Sequence, residues 1–226
     1  MWRCSQLALL GVMLCGCFNS WGKAPINISI EANDFVKEGL REEVLDKALQ
    51  AVEIAQKNKK INSKFLTVID FELSSKKKRL WVINLETGKL LFHEQVTHGK
   101  NTDLNQDGMV DKNGFSNKDG SKKSSIGVFR TAETYHSRKF NGTALKMDGL
   151  EKGFNDNARK RSIVMHPAKY ADVSEGTKMG RSWGCPALDP DISESLISTI
   201  KGGSMIFQYY PDPKWLKESA FLKHKL

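Results

Sequence analysis

Residues 180–188 read GRSWGCPAL, and this stretch decides the interpretation of the chain. Its cysteine, Cys185, directly follows Gly184 and lies three residues after Ser182. Glycine allows backbone conformations that other residues rarely adopt, so consecutive amide N–H groups can converge in front of the sulfur. We interpret Cys185 as an acyl-transfer nucleophile, with the Gly184 and Cys185 amides and the Ser182 hydroxyl as donors to an oxyanion. The alternative is an inert buried thiol.

A thiol nucleophile needs a base, and His166 is the main candidate. It ends the apolar stretch 163–165, and the chain between it and Cys185 is long enough for a loop to return beside the strand. The alternative is a histidine that only packs in the core. His98 also ends an apolar pattern and precedes Gly99, so we retain it as a second site residue that contacts substrate.

These residues resemble the catalytic motif of the L,D-transpeptidases of peptidoglycan, the YkuD-type family. That motif is a histidine at a strand end, a variable loop and then Ser-x-Gly-Cys, which is met here by His166, Ser182, Gly184 and Cys185. Residues 125–129, SIGVF, are similar to the Gly-x-Phe/Tyr strand of the family. The resemblance extends over most of the chain from residue 65 to residue 210.

The resemblance implies a mainly β fold, an L,D-transpeptidase-type β-sandwich with short helices. It also implies a cysteine acyltransferase that acts on peptidoglycan stem peptides and requires no cofactor for the chemistry. Cys185 would form a thioester, release the terminal D-alanine and give 3→3 cross-links. With water as acceptor the site would be a murein L,D-carboxypeptidase or thiol peptidase. A wall-binding protein without catalysis is the third alternative.

Two positions depart from the family pattern. Many members have Gly after the histidine and Arg two residues after the cysteine, where this chain has Pro167 and Ala187. A proline keeps the carbonyl that orients the imidazole, so the base is retained. The missing arginine leaves the donor carboxylate without its partner, and Arg181 and Arg161 are the candidates to replace it. Trp183 is either a packing residue or a platform for substrate.

The rest of the chain alternates short β patterns with few helices. Apolar residues recur at helical spacing over 36–57, which predicts an N-terminal amphipathic helix that packs on the main domain, and residues 191–201 predict a second helix. The predicted divisions are an export signal (1–16), a tether with the N-terminal helix (17–60), the catalytic domain (61–211) and a C-terminal tail (212–226).

The N-terminus indicates export. A positive start at residues 1–3 precedes the apolar run 7–14, which is too short to span a bilayer as a mature helix. Residues 14–17, LCGC, resemble a lipobox, so we expect either a lipid on Cys17 or ordinary cleavage a few residues later. The predicted location is the periplasm or cell envelope, with membrane attachment only through such a lipid. Processing there would leave Cys185 without an internal disulfide partner.

The chain has 226 residues and a formal net charge of +9. Its apolar content of 39% supports one folded core and excludes a disordered chain. No helix-turn-helix or aromatic–basic motif accompanies the charge, so we expect no nucleic acid partner, and an anionic cell envelope suits the charge as well. The sequence does not indicate an oligomeric state.

Residues 103–111, DLNQDGMVD, match the first nine positions of a calcium-binding loop. Position twelve is Gly114 in place of a bidentate glutamate, and no helical pattern flanks the loop. An Asx-rich surface loop is the alternative. If a structural Ca²⁺ binds, the expected side-chain ligands are Asp103, Asn105, Asp107 and Asp111.

Overall fold

The computed structural model describes residues 33–62 and 64–222. The predicted export signal and Cys17 lie outside these residues. Within the described ranges, the helices are α1 (Asn33–Lys37), α2 (Glu42–Lys57), α3 (Pro190–Ile200) and α4 (Pro213–Glu218), with a short 3-10 helix at Lys169–Ala171. The strands are β1 (Phe65–Asp70), β2 (Leu80–Asn84), β3 (Leu90–Glu94), β4 (Gly127–Ser137), β5 (Gly142–Gly149), β6 (Val164–Pro167), β7 (Ala187–Leu188) and β8 (Met205–Tyr209).

The strands form one eight-stranded sheet in the order β3-β2-β1-β8-β4-β5-β6-β7. Strand β1 pairs in parallel with β8, and β6 pairs in parallel with β7. The other neighbours are antiparallel. The expected mainly β fold is confirmed. At the β7 end of the sheet, β6 contains His166, and the stretch from Ser182 to Cys185 leads into β7.

Apolar residues cover both faces of this sheet. Successive residues of a strand point to opposite faces. In β1, Leu66 and Val68 belong to one core cluster, whereas Ile69 belongs to the other. The first cluster contains the buried side of α2, and the second contains Leu196, Ile197 and Ile200 of α3. Helices on both faces therefore bury the sheet and hold the β6–β7 edge in place.

The helix expected over residues 36–57 is divided in two. Gly39 lies between α1 and α2 with φ +82°, a left-handed conformation that suits glycine and interrupts a helix. Helix α2 then packs on the sheet through Val44, Leu45, Ala48, Ala51, Val52 and Ala55. No helix of the described ranges is long and apolar enough to span a membrane.

The segment expected as a C-terminal tail packs on the main core as far as it is described. Trp215 of α4 is fully buried, and its indole Nε1 donates to the Glu151 carboxylate at 3.1 Å. Ser219 donates a hydrogen bond to the same carboxylate. This polar anchor ties residues 212–219 to the start of the segment between β5 and β6.

Residues 95–126 link β3 to β4, and the long irregular part of this connection, the 99–126 loop, reaches the motif. Gly99 of this loop forms a parallel β-bridge with Ser182, and a second β-bridge, within the loop, joins Phe115 to Ser124. Lys100 N donates to the Ser182 carbonyl at 2.8 Å. The loop therefore packs directly against the stretch that contains the cysteine.

Candidate active site

Parallel pairing of β6 with β7 brings the motif histidine and cysteine together. His166 is the register partner of Ala187, and its amide donates to the Pro186 carbonyl at 3.3 Å. Cys185 immediately precedes this paired segment. Two stretches that are separate in the sequence thus meet at the last strand pair of the sheet.

The imidazole of His166 is held in one tautomer. Its Nδ1 lies 2.8 Å from the Pro167 carbonyl oxygen, and because a carbonyl only accepts, Nδ1 carries the proton. Nε2 is then the basic nitrogen. Burial lowers the pKa of His166, the bond to Pro167 opposes this effect, and the Lys139 ammonium adds to it. The ring is therefore a neutral base at neutral pH.

The Cys185 sulfur is mostly enclosed, and it is a free cysteine. The Val164 amide donates to Sγ at 3.5 Å, and the thiol donates to the Ser162 carbonyl at 3.7 Å. Burial raises the pKa of the Cys185 thiol, although the Val164 amide and the charges of Lys139 and Arg161 act in the opposite direction. Both shifts favour the uncharged forms, a protonated thiol and a neutral imidazole.

Ser182 closes the turn that presents the cysteine. Its hydroxyl accepts from the Gly184 amide at 3.0 Å and donates to the Cys185 carbonyl at 2.6 Å. Two of the three predicted oxyanion donors, the Ser182 hydroxyl and the Gly184 amide, thus make hydrogen bonds within the turn itself. The Cys185 amide has no acceptor among the hydrogen bonds of the described residues, so it is the remaining donor of the predicted three.

The backbone of Gly184 could not carry a side chain here. Its φ is +124°, and a Cβ would lie 2.6 Å from the Lys123 carbonyl oxygen of the 99–126 loop. Ser124 of that loop donates to the Gly184 carbonyl at 3.3 Å. The sequence motif requires glycine at this position because the loop packs on the turn. Ser124 is a contributor that no local sequence signal indicates.

His98 lies in the interior and not at the expected substrate site. Its side chain is 1% exposed, and Nδ1 accepts from the Arg79 guanidinium at 3.0 Å. Nε2 lies 3.4 Å from the Asp103 carboxylate but in an orientation that makes no hydrogen bond. Burial and the charges of Arg79 and Arg181 lower the pKa of His98 to about 2. Its carbonyl accepts from the Ser182 amide at 2.9 Å, so His98 supports the cysteine turn from inside.

The two arginines predicted to bind a carboxylate instead hold the loop. Arg181 donates to the carbonyls of Lys100, at 2.9 Å, and Asp103, at 2.5 Å. Arg161 donates to the carbonyls of Ser116 and Lys123, both at 2.6 Å. These bonds give both guanidinium groups a structural function in the 99–126 loop.

Trp183 is a solvent-facing residue two positions before Cys185. Its side chain is 66% exposed, which favours a platform for substrate over a packing role. Lys122 and Lys139 place their ammonium nitrogens 4.7 Å and 5.6 Å from the centre of its ring system. Neither lysine was indicated by the sequence motif, because they come from segments far from Cys185 in the chain.

The acidic loop 103–111 is closed by its own hydrogen bonds. The Asp103 carboxylate accepts from the amides of Asp107 and Gly108, and the Asp111 carboxylate accepts from the Leu104 amide and the Asn105 side chain. No cluster of three or more His, Cys, Asp or Glu within the described residues could hold a metal ion. The arrangement gives no support to calcium binding, which stays a prediction.

Several solved structures are similar to this chain. An L,D-transpeptidase from Mycobacterium smegmatis has 15% identity and a TM-score of 0.41, with 65% of this chain and 59% of that chain covered. Bd1075 of Bdellovibrio bacteriovorus has 16% identity and a TM-score of 0.40, with 65% and 48% covered. The chain therefore spans about half to three fifths of the length of these proteins.

The comparison with curated protein sequences gave no match. The sequence model of the L,D-transpeptidase catalytic domain matches residues 36–209. This range contains all eight strands of the sheet together with the histidine and cysteine that β6 and β7 bring together. The chain belongs to the family of L,D-transpeptidase catalytic domains.

Proposed function

We propose that this protein is a cysteine acyltransferase that acts on peptidoglycan stem peptides. The observation that carries the proposal is the pairing of His166 with Ala187, two residues after Cys185, together with the bond from His166 Nδ1 to the Pro167 carbonyl. This arrangement leaves a basic Nε2 for a thiol on the neighbouring strand. Family membership supports peptidoglycan as the substrate class and the cell envelope as the location.

The first half-reaction forms a thioester. Nε2 of His166 takes the thiol proton as Sγ of Cys185 bonds to the carbonyl carbon at the L-centre of the donor diamino acid. The Cys185 amide donates to the oxyanion of the tetrahedral intermediate. The C–N bond to the terminal D-alanine then breaks, and the imidazolium returns its proton to the leaving amine.

The second half-reaction transfers the acyl group. The amine of a second stem peptide loses a proton to His166 and attacks the thioester carbon. The C–S bond breaks, Cys185 regains its proton, and a 3→3 cross-link forms. If water replaces the amine, the product is a tripeptide and the enzyme is an L,D-carboxypeptidase.

Incubation with a disaccharide-tetrapeptide tests this proposal. We expect mass spectrometry to show a dimer that is one D-alanine lighter than two monomers, and no such product with Cys185→Ser. Tripeptide alone would identify the carboxypeptidase. Absence of any Cys185-dependent product would contradict the acyltransferase. If sacculi were then bound equally by Cys185→Ala and the unaltered protein, a wall-binding function would replace it.

Export, and a lipid on Cys17 as the means of membrane attachment, belong to the same proposal. An enzyme that acts on stem peptides must reach the compartment that contains peptidoglycan, and the basic and apolar N-terminus fits that requirement. Intact mass measurement of the protein isolated from membranes would identify the first mature residue. A diacylglyceryl-modified Cys17 is the expected result for the lipoprotein form, and an unmodified later residue would exclude it.

A further inference from the structure

Two lysines from different segments approach the exposed tryptophan beside the nucleophile. Lys122 belongs to the 99–126 loop, and Lys139 lies in the turn between β4 and β5. Their Nζ atoms are 4.7 Å and 5.6 Å from the Trp183 ring. Trp183 is two residues before Cys185, so both ammonium groups are at the entrance to the reacting pair.

Lys139 is also linked to the histidine side of the site. Its Nζ is 5.5 Å from the centre of the Phe140 ring, and that ring stacks on His166 with centroids 3.7 Å apart. The charge of Lys139 lowers the pKa of both Cys185 and His166. The positive charge of Lys139 therefore acts electrostatically on both Cys185 and His166.

Neither ammonium forms an ion pair with a carboxylate of the described residues. The N–H groups of both lysines remain available to hydrogen-bond a ligand, because their contact with the Trp183 ring is a cation–π attraction. Arg161 and Arg181 donate to loop carbonyls instead of facing an open site. Two unpaired cations beside an exposed aromatic surface favour an anionic ligand with an apolar part.

The proposed acyl donor has such a group. Its terminal D-alanine carries a free carboxylate one residue beyond the scissile bond, next to a methyl group. We propose that Lys122 and Lys139 bind this carboxylate while Trp183 contacts the adjacent methyl group, so that the two lysines select donors with a free C-terminus. This inference rests on the proposed function, since it assigns the donor that the same site accepts.

Binding to an inactive protein tests the inference without turnover. In Cys185→Ala, the dissociation constant of the stem tetrapeptide is compared with that of its C-terminal amide by calorimetry. We expect the free acid to bind at least about tenfold more tightly than the amide, as a charge-assisted hydrogen bond would give. Lys122→Gln and Lys139→Gln should each reduce this preference, and the double variant should abolish it.

Lys152→Gln is the matched control, because it removes one surface charge from an exposed residue elsewhere. It should leave the preference for the free acid unchanged. Equal binding of acid and amide to Cys185→Ala, absence of binding by both peptides, or an unchanged preference in the Lys122→Gln, Lys139→Gln double variant would overturn the inference.

Turnover separates this inference from the proposed function. In protein with Cys185 intact, the double variant should raise KM for the tetrapeptide by a larger factor than KM for the amide donor. If no Cys185-dependent product forms but the free acid still binds selectively, the acyltransferase fails and the carboxylate site stands. If product forms but the lysines do not affect KM or the acid–amide preference, only the carboxylate site fails.

Discussion

The ring of Phe140 lies flat on the imidazole of His166, with centroids 3.7 Å apart and planes 13° apart. The stack covers one face of the histidine, while the Pro167 carbonyl holds its Nδ1 edge. The imidazole therefore has little rotational freedom, and Nε2 remains available for proton transfer. Phe140 acts as a positioning residue, because it touches the base and not the reacting atoms.

Replacing Phe140 by leucine should weaken catalysis through the orientation of His166. We expect kcat to fall by about tenfold, because a general base that is not held in the correct orientation transfers the proton less efficiently. KM and the melting temperature should change little. The measurement is steady-state kinetics with the tetrapeptide donor, with Tyr135→Leu on the same hairpin as control. An unchanged kcat in Phe140→Leu would show that the stack does not orient the base.

The protonation states of Cys185 and His166 predict how kcat/KM depends on pH. Burial raises the pKa of the Cys185 thiol above its ordinary value of 9.0, and burial lowers the pKa of His166 below 6.5. The thiol–neutral imidazole pair should therefore be the main form between these values. We expect kcat/KM to be flat at neutral pH and to decline only below 6.5, as the imidazole becomes protonated.

Alkylation by iodoacetamide reports the thiolate directly. The rate for Cys185 should be low at neutral pH and should still be increasing at pH 9. A high rate that is constant from pH 6 upward would instead indicate a preformed thiolate–imidazolium pair. That result would contradict the resting state described here.

Ser182→Ala should affect stability as well as activity. The change leaves the Gly184 amide and the Cys185 carbonyl without their hydroxyl partner in a buried turn. An unsatisfied buried polar group costs about 1–3 kcal/mol, so denaturant unfolding should detect a loss of that size. Ser195→Ala, on the exposed side of α3, is the control and should unfold like the original protein. Lower kcat with unchanged stability would support the oxyanion role for Ser182 in place of the turn role.

His98 should make the fold sensitive to acid. Its pKa is lowered to about 2 by burial and by Arg79 and Arg181. Between that value and 6.5 the unfolded chain binds the proton more readily, so the free energy of unfolding falls as the pH falls below 6.5. The cost at pH 5 is about 2 kcal/mol from this residue. Between pH 7 and pH 5, the free energy of unfolding should decrease by about 2 kcal/mol more in the original protein than in His98→Gln. An equal decrease in both proteins would exclude His98 as the cause.

Chelation tests the predicted calcium loop. If a structural Ca²⁺ binds, the melting temperature should be higher in calcium than in EGTA, and Asp107→Asn should reduce the difference. An equal melting temperature in both would show that the hydrogen bonds of Asp103 and Asp111 hold the loop without the ion. A higher melting temperature in calcium that disappears in Asp107→Asn would show that the loop rearranges around the ion.

Local patterns were sufficient to predict the mainly β fold and to single out His166 and Cys185, whose segments the structure brings together. Strands β1, β2 and β8 have dense apolar and β-branched composition, and the histidine and cysteine each lie in a short recognisable motif. The break at Gly39 was less evident, because the apolar spacing continues across it. The sequence alone does not show whether a helix ends at a glycine inside a periodic segment, because this depends on the φ that the glycine adopts in the fold.

Contacts between distant segments explain what the sequence did not indicate. Phe140 reaches His166 from the β4–β5 turn, and Ser124 reaches Gly184 from the long loop. The arginines next to the motif were expected to bind substrate because of their position in the chain. In the fold, loop carbonyls lie nearer to them, and lysines from two other segments flank Trp183 instead.

The central claim is that Cys185 carries the acyl group, and intact-protein mass spectrometry tests it most directly. The protein is mixed with stem tetrapeptide and is quenched in acid during turnover, before the second stem amine or water has removed the acyl group from all of the protein. The account predicts a mass increase equal to the tetrapeptide minus D-alanine, removed by hydroxylamine and absent in Cys185→Ala. Release of D-alanine without any adduct on the protein, or an adduct that persists in Cys185→Ala, would contradict it.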